Sequence, residues 1–177
     1  MHRLHNEIVL ASFTKGRDAA VTLIEDMAGI RPGTPLAQAL AARAEILRLS
    51  QASHDAVLKP REPGGLDHGL RAALAARMAR QNEQPALAAH YDDLMHSSGE
   101  MQAPEPAPVE RARIAAIVAH SDLLTLRPRE ATRQDIAALT AAGVSEPDIV
   151  RLAELAAFVN YQARVIAGFQ ALGGAKS

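Results

Sequence analysis

The tightest constraint on this chain is its last helix. Between Ile149 and Leu172 the apolar positions Leu152, Leu155, Phe158, Val159, Tyr161, Val165, Ile166 and Phe169 do not keep to one stripe but cover most of a helical circumference. A helix that is apolar nearly all round is buried, and at about 1.5 Å per residue this one spans a small domain. It is therefore either a central helix wrapped by the others or half of an interface between copies. The segment leading into it is equally legible. Thr132 followed by Asp135 forms a capping signal, and Ile136, Leu139 and Ala142 follow at helical spacing. Gly143 closes that helix. Ser145 caps the next, with Glu146 and Asp148 at the positive end of its dipole and Pro147 in its first turn. Asn160 and Arg164 lie one turn apart inside the apolar surround. Both are expected to be hydrogen-bonded there and are candidate ligand-binding residues, Arg164 as the holder of an anionic ligand.

The remainder of the chain reads as helix too. Of 177 residues, 48% are hydrophobic but only 3% aromatic. The apolar content is Ala and Leu rather than the β-branched and aromatic runs that make strands. In order, the pattern predicts a short arm over Met1–Gly16, helices over Asp18–Met27, Pro35–Leu58, Asp67–Gln81, Pro85–His96 and Val109–Thr125, then the organising pair. Leu36, Leu40, Ala44, Leu47 and Ala52 form the expected stripe of the Pro35–Leu58 helix. The turn IRPGTP precedes that helix and KPREPGG ends it. The loop SSGEMQAPEPAP divides the chain into halves, and GGAKS forms a frayed tail. The expected fold is all-α, about seven helices, with an N-terminal helical region over 1–65 and a helical core over 66–177.

Charge and composition exclude several classes of function. Lys plus Arg number 19 against 20 Asp plus Glu, with no basic block, which argues against nucleic acid as a partner. Charges interrupt the apolar stretches well short of a membrane span. The opening MHRLHNEIVLASF is too short and too polar for a secretory signal, so the expected location is cytoplasmic. Cysteine is absent, so disulfides, thiolate metal sites and thiol catalysis are excluded.

Other clusters are weighed by geometry. His90, Asp93 and His96, or Asp92 and His96, fall at helical steps that could face one ion, but no HExxH-type motif accompanies them and no metal is expected. Ser53, His54 and Asp55 are the residue types of a hydrolase triad. Consecutive helix residues fan out at about 100° each, and the three are expected not to converge. Gly64, Gly65 and Gly69 lack the preceding strand and following Lys-Ser/Thr of a phosphate loop. His120 and Asp122 are expected at an exposed helix end.

The segments TRQDIAALTAAGVSEPDI and FVNYQARV resemble the C-terminal pattern TxxDxxALxxAGLSxxEI … FxNxxxRV of the carboxymuconolactone decarboxylase and alkylhydroperoxidase D-like superfamily, in its peroxidase-related members. LDHGLRAALAARMARQNEQPALAAHY resembles the family's catalytic helix pair, LSxxxREMIALxVSxxNxCxYCxxHH, matching without a gap at Leu66, Arg71, Leu74, Asn82 and His90. The resemblance covers roughly Leu66 to Leu172, and the AGIxPGxxLA-like segment near the N-terminus is similar to a cysteine-poor branch. It implies an alkylhydroperoxidase D-like helical fold assembled as a homodimer, homotrimer or larger ring.

In that family two Cys form a redox pair, and a Glu and a His relay protons. Here Gln84 and Leu87 stand at the Cys positions, Ala72 at the Glu position and Tyr91 at the relay His position, with the neighbouring His kept as His90. Thiol peroxidase chemistry is therefore gone. The resemblance leaves two readings, neither calling for a cofactor. One is a small-molecule-binding or accessory protein in an oxidative-stress or catabolic setting. The other is a decarboxylase- or isomerase-like acid–base enzyme on a small carboxylated substrate. In that reading His90 carries the proton, and Tyr91 or Arg71 orients the substrate.

Overall fold

The computed structural model describes residues 21–99 and 107–174. The expected arm over 1–16, the start of the first predicted helix, the middle of the Pro-rich loop and the last three residues lie outside the described residues. Within them the chain forms eight α-helices and no strand.

Thr22 opens α1 (Leu23–Met27) with a reciprocal capping box: its hydroxyl accepts from Glu25 N, and the Glu25 carboxylate accepts from Thr22 N at 3.0 Å. Thr34 starts α2 (Pro35–Ala41) by accepting from Ala37 N at 3.2 Å, with Pro35 in the first turn. The sequence predicts a single helix from Pro35 to Leu58, but the chain breaks at Ala42–Arg43 and restarts as α3 (Ala44–Leu58). Arg43 leaves helical geometry at φ −120°, ψ 16°. No Gly or Pro forces this break. Leu40 and Leu47, on either side of the break, are both buried and both line a groove against the last helix. The buried face of α3 is Leu47, Ser50, His54 and Leu58, not the stripe through Ala44 and Ala52, which are exposed.

The α4 helix (His68–Gln81) and α5 (Pro85–Ser97) form a tight hairpin. Ala72, Ala75, Ala76 and Ala79 are all buried on α4, and their small side chains let the partner helices approach closely. Glu83 turns the chain with φ +58°, a left-handed position usually taken by glycine. The α6 helix (Pro108–Leu126) is followed by a 3₁₀ turn at Pro128–Glu130 and by α7 (Arg133–Ala141). The capping box at Thr132 and Asp135 forms as the sequence predicts, and Gly143 closes the turn at φ +83°.

The last helix, α8, runs unbroken through the 29 residues Glu146–Gly174 and packs against α1, α3, α4, α6 and α7. It is the central helix over its first two-thirds, where Leu152, Leu155, Val159 and Ile166 are fully enclosed. Toward its end the surround opens, and Leu172 is 64% exposed. Arg164 also faces solvent rather than the buried surround expected for it.

The α3–α4 connection is pinned from two sides. Arg71, 2% exposed, donates to Leu66 O (2.7 Å), Val57 O (2.9 Å) and Pro63 O (3.0 Å). The Asp148 carboxylate accepts from Gly65 N at 3.0 Å, and Arg113 donates to Gly65 O at 2.6 Å. A Cβ on Gly64 would sit 2.5 Å from Arg151 Nη1, and one on Gly65 2.6 Å from Asp148 Oδ2. The two glycines of KPREPGG thus let the loop lie flat against α6 and α8.

Candidate functional site

Three helices bring a polar and aromatic cluster into the interior. The α3 helix supplies His54, α5 supplies His90 and Tyr91, and α8 supplies Phe158 and Gln162. Ring centroids of His54 and His90 are 5.7 Å apart, those of His90 and Tyr91 5.4 Å, and those of His54 and Tyr91 6.0 Å in a stacked arrangement. Phe158 closes the cluster with its ring 6.2 Å from His54.

Tyr91 is fully buried and its hydroxyl donates to Gln162 Oε1, itself buried. Burial holds the Tyr91 phenol far above its usual value, so it stays protonated and acts as a hydrogen-bond donor. His54 Nδ1 lies 3.0 Å from the exposed Asp55 carboxylate, which also accepts from Gln51 Nε2 at 3.0 Å. His54 and Asp55 therefore meet, contrary to the expectation that consecutive helix side chains fan apart, because the carboxylate turns back along the helix surface. Ser53 is exposed, so no triad forms. The contacts of Asp55 and of Gln51 Nε2 (3.4 Å) fall on Nδ1, so Nε2 is the ring nitrogen of His54 left without a partner.

Two buried atoms in this cluster have no hydrogen-bond partner among the described residues: His54 Nε2 and His90 Nε2. Leaving a buried polar atom unpaired costs about 1–3 kcal/mol, so two on neighbouring rings mark a place where the fold accepts a cost. Burial lowers the His90 pKa below its ordinary value, His54 and Lys59 push the same way, and Asp93 and Asp26 oppose them. His90 is thus neutral at neutral pH.

The other expected site residues are placed as follows. Leu87 is fully enclosed in the core and Gln84 is buried at the start of α5. Ala72 lines a cavity of about 210 Å³ together with Leu58, Lys59 and Leu94. Leu58 and Leu94 stand one turn beyond His54 and His90, but neither histidine of the pair lines the cavity. Arg71 spends its donors on three carbonyl oxygens of its own loop. Asn160 is also satisfied internally, accepting from Asn82 Nδ2 (2.7 Å) and donating to Ala156 O (2.8 Å) and Thr125 Oγ1 (3.2 Å). Arg164 lies apart from these residues on the exposed side of α8. His120 is buried rather than at an exposed helix end, and Asp122 bridges to Arg77 and Gln81. Among the described residues no group of three or more His, Asp or Glu converges as a metal ligand set, and no helix is long and apolar enough to cross a membrane.

His54 is the residue that motif reasoning passes over. Its signal is the stripe Leu47, Ser50, His54, Leu58, which a strict Ala-and-Leu pattern misses because two of its four members are polar. Comparison with protein-family models, with curated proteins and with solved structures gives no match.

Proposed function

We propose that the chain is a small-molecule-binding protein whose ligand site is the buried cluster of His54, His90 and Tyr91. The scaffold would be of the carboxymuconolactone decarboxylase and alkylhydroperoxidase D-like type, without thiol chemistry, serving as an accessory protein in an oxidative-stress or catabolic setting. The observation that carries this reading is the pair of unpartnered Nε2 atoms on facing helices. A ligand hydroxyl, which both donates and accepts, would pair with both imidazoles and recover part of their desolvation cost. The cavity lined by Ala72, where the superfamily pattern has its Glu, lies one helical turn further along α3 and α5, at Leu58 and Leu94.

A second reading is favoured by one specific contact. The Asp55 carboxylate lies 3.0 Å from His54 Nδ1; were that nitrogen to carry the proton, Nε2 would serve as a base, with the His90 ring beside it to pass a proton. On this reading the chain is a Cys-independent acid–base enzyme acting on a small carboxylated substrate.

The test is a thermal-shift screen against small acids, lactones, quinones and hydroperoxides, followed by histidine-ring NMR. A ligand at 100 times its dissociation constant adds about 2.7 kcal/mol, or roughly 5–11 °C for a chain of this size. The reading requires that a hit move the ring resonances of His54 and His90 and be lost in His90→Ala. If hits leave both rings unmoved, the site lies elsewhere. Turnover of a hit that disappears in both His90→Ala and His54→Ala selects the enzyme reading over the binding one.

A further inference from the structure

A second cavity lies outside the histidine cluster, where the end of α8 leaves the core. It is a groove of about 420 Å³ between the α2–α3 junction and α8, within the size range of small-molecule sites. Its α8 wall runs from Tyr161 through Val165 and Phe169 to Leu172, roughly 16 Å of helix at the usual rise. Ile46 and Leu47 face it from α3. Ile46, Tyr161 and Leu172 are more than two-fifths exposed, so a long apolar surface stands open to water.

Two features say what covers it. Gly168 lines the groove in an ordinary helical conformation, and a Cβ there would meet nothing within 4 Å. Neither backbone geometry nor a close neighbour requires glycine. Its presence lowers helix propensity by about 1 kcal/mol relative to Ala, and what it does locally is keep the groove deep. The second feature is charge. Arg43 is the one charged residue lining the groove, exposed and with no acidic partner among the described residues. The nearby carboxylate Glu45 is already held by Arg48 through two hydrogen bonds of 2.8 and 2.6 Å. A two-fold copy of this face would bring apolar walls and a second Arg43, with no acid from the lining to meet either cation.

We propose that this groove binds a monoanionic amphiphile, a medium-chain carboxylic acid, with its chain along Val165, Phe169 and Leu172 and its carboxylate on Arg43. The site is independent of the His54–His90 reading, since no groove residue belongs to that pair.

The experiment titrates the full chain with decanoate and, separately, with decanol, by calorimetry, and follows mass by sedimentation velocity. Saturable one-site binding is expected, with decanoate tighter by about two- to fivefold, the size of a solvent-exposed ion pair. Arg43→Gln should remove that preference while keeping decanol binding. Gly168→Leu, which fills open space and favours the helix, should abolish both, and its circular dichroism and melting temperature show that it is folded. Equal affinity for acid and alcohol in the unaltered chain, or undiminished binding by folded Gly168→Leu, overturns the proposal. So does self-association that Gly168→Leu disperses without any amphiphile binding, which would make a second copy the occupant.

Discussion

Replacing Arg71 tests whether its role lies in the fold or in a ligand. Arg71→Met keeps much of the apolar stem and removes the guanidinium, which donates to the carbonyls of Leu66, Val57 and Pro63. Val57 O is one of the last carbonyls of α3, which have no partner within their own helix. Three hydrogen bonds from a charged donor are worth about 1.5–3 kcal/mol each before desolvation. Burial of the guanidinium offsets part of this; burial also lowers the pKa of Arg71, Arg151 acting in the same direction, with Asp148, Glu154 and Asp67 opposing. The Val57 and Pro63 carbonyls are only partly buried and can turn to water. The net loss should be about 3–4 kcal/mol, a large share of the 5–15 kcal/mol typical of a domain. Urea unfolding followed by circular dichroism at 222 nm should show a lower midpoint and an unchanged slope. Melting should fall by roughly 10 °C, with no ligand present. Arg71→Lys should recover only a part, since an ammonium cannot span three carbonyls as a planar fork does. A loss under about 1 kcal/mol for Arg71→Met would refute the clamp and return Arg71 to the candidate ligand residues.

Three other outcomes are expected. His90 binds its proton more weakly in the folded chain than its ordinary value of 6.5, so its contribution is complete above that pH and is lost as pH falls through the folded pKa. Urea midpoints taken between about pH 7.5 and 5.5 should therefore drop less in His90→Gln than in the unaltered chain, and equal drops would contradict the assignment. Tyr91→Phe should cost about 1–3 kcal/mol by leaving Gln162 Oε1 unpaired in the core; a neutral result in the same unfolding assay would mean that Gln162 finds another donor. Glu83→Gly should stabilise the α4–α5 hairpin by up to about 1 kcal/mol, because the left-handed position at φ +58° strains any residue with a Cβ. A lower melting temperature in that variant would show that the Glu83 side chain contributes something this turn geometry does not reveal.

Sequence by itself determined the helical elements and the punctuation between them. Caps at Thr34, Thr132 and Ser145, the turn glycine Gly143 and the all-round apolar run of α8 act over a few residues, and each formed where the local chemistry placed it. Tertiary structure decided whatever depends on several helices meeting. It broke the Pro35–Leu58 helix at Arg43, where no Gly or Pro announces a break. It buried His54 beside His90, residues 36 positions apart in sequence, by choosing which face of α3 turns inward. It also converted Arg71 and Asn160 from candidate ligand residues into internal hydrogen-bonding groups, since a donor's availability depends on which carbonyls the folded chain brings within reach. Residue type and spacing are local properties; burial and unpaired polar atoms exist only once distant helices have excluded water together.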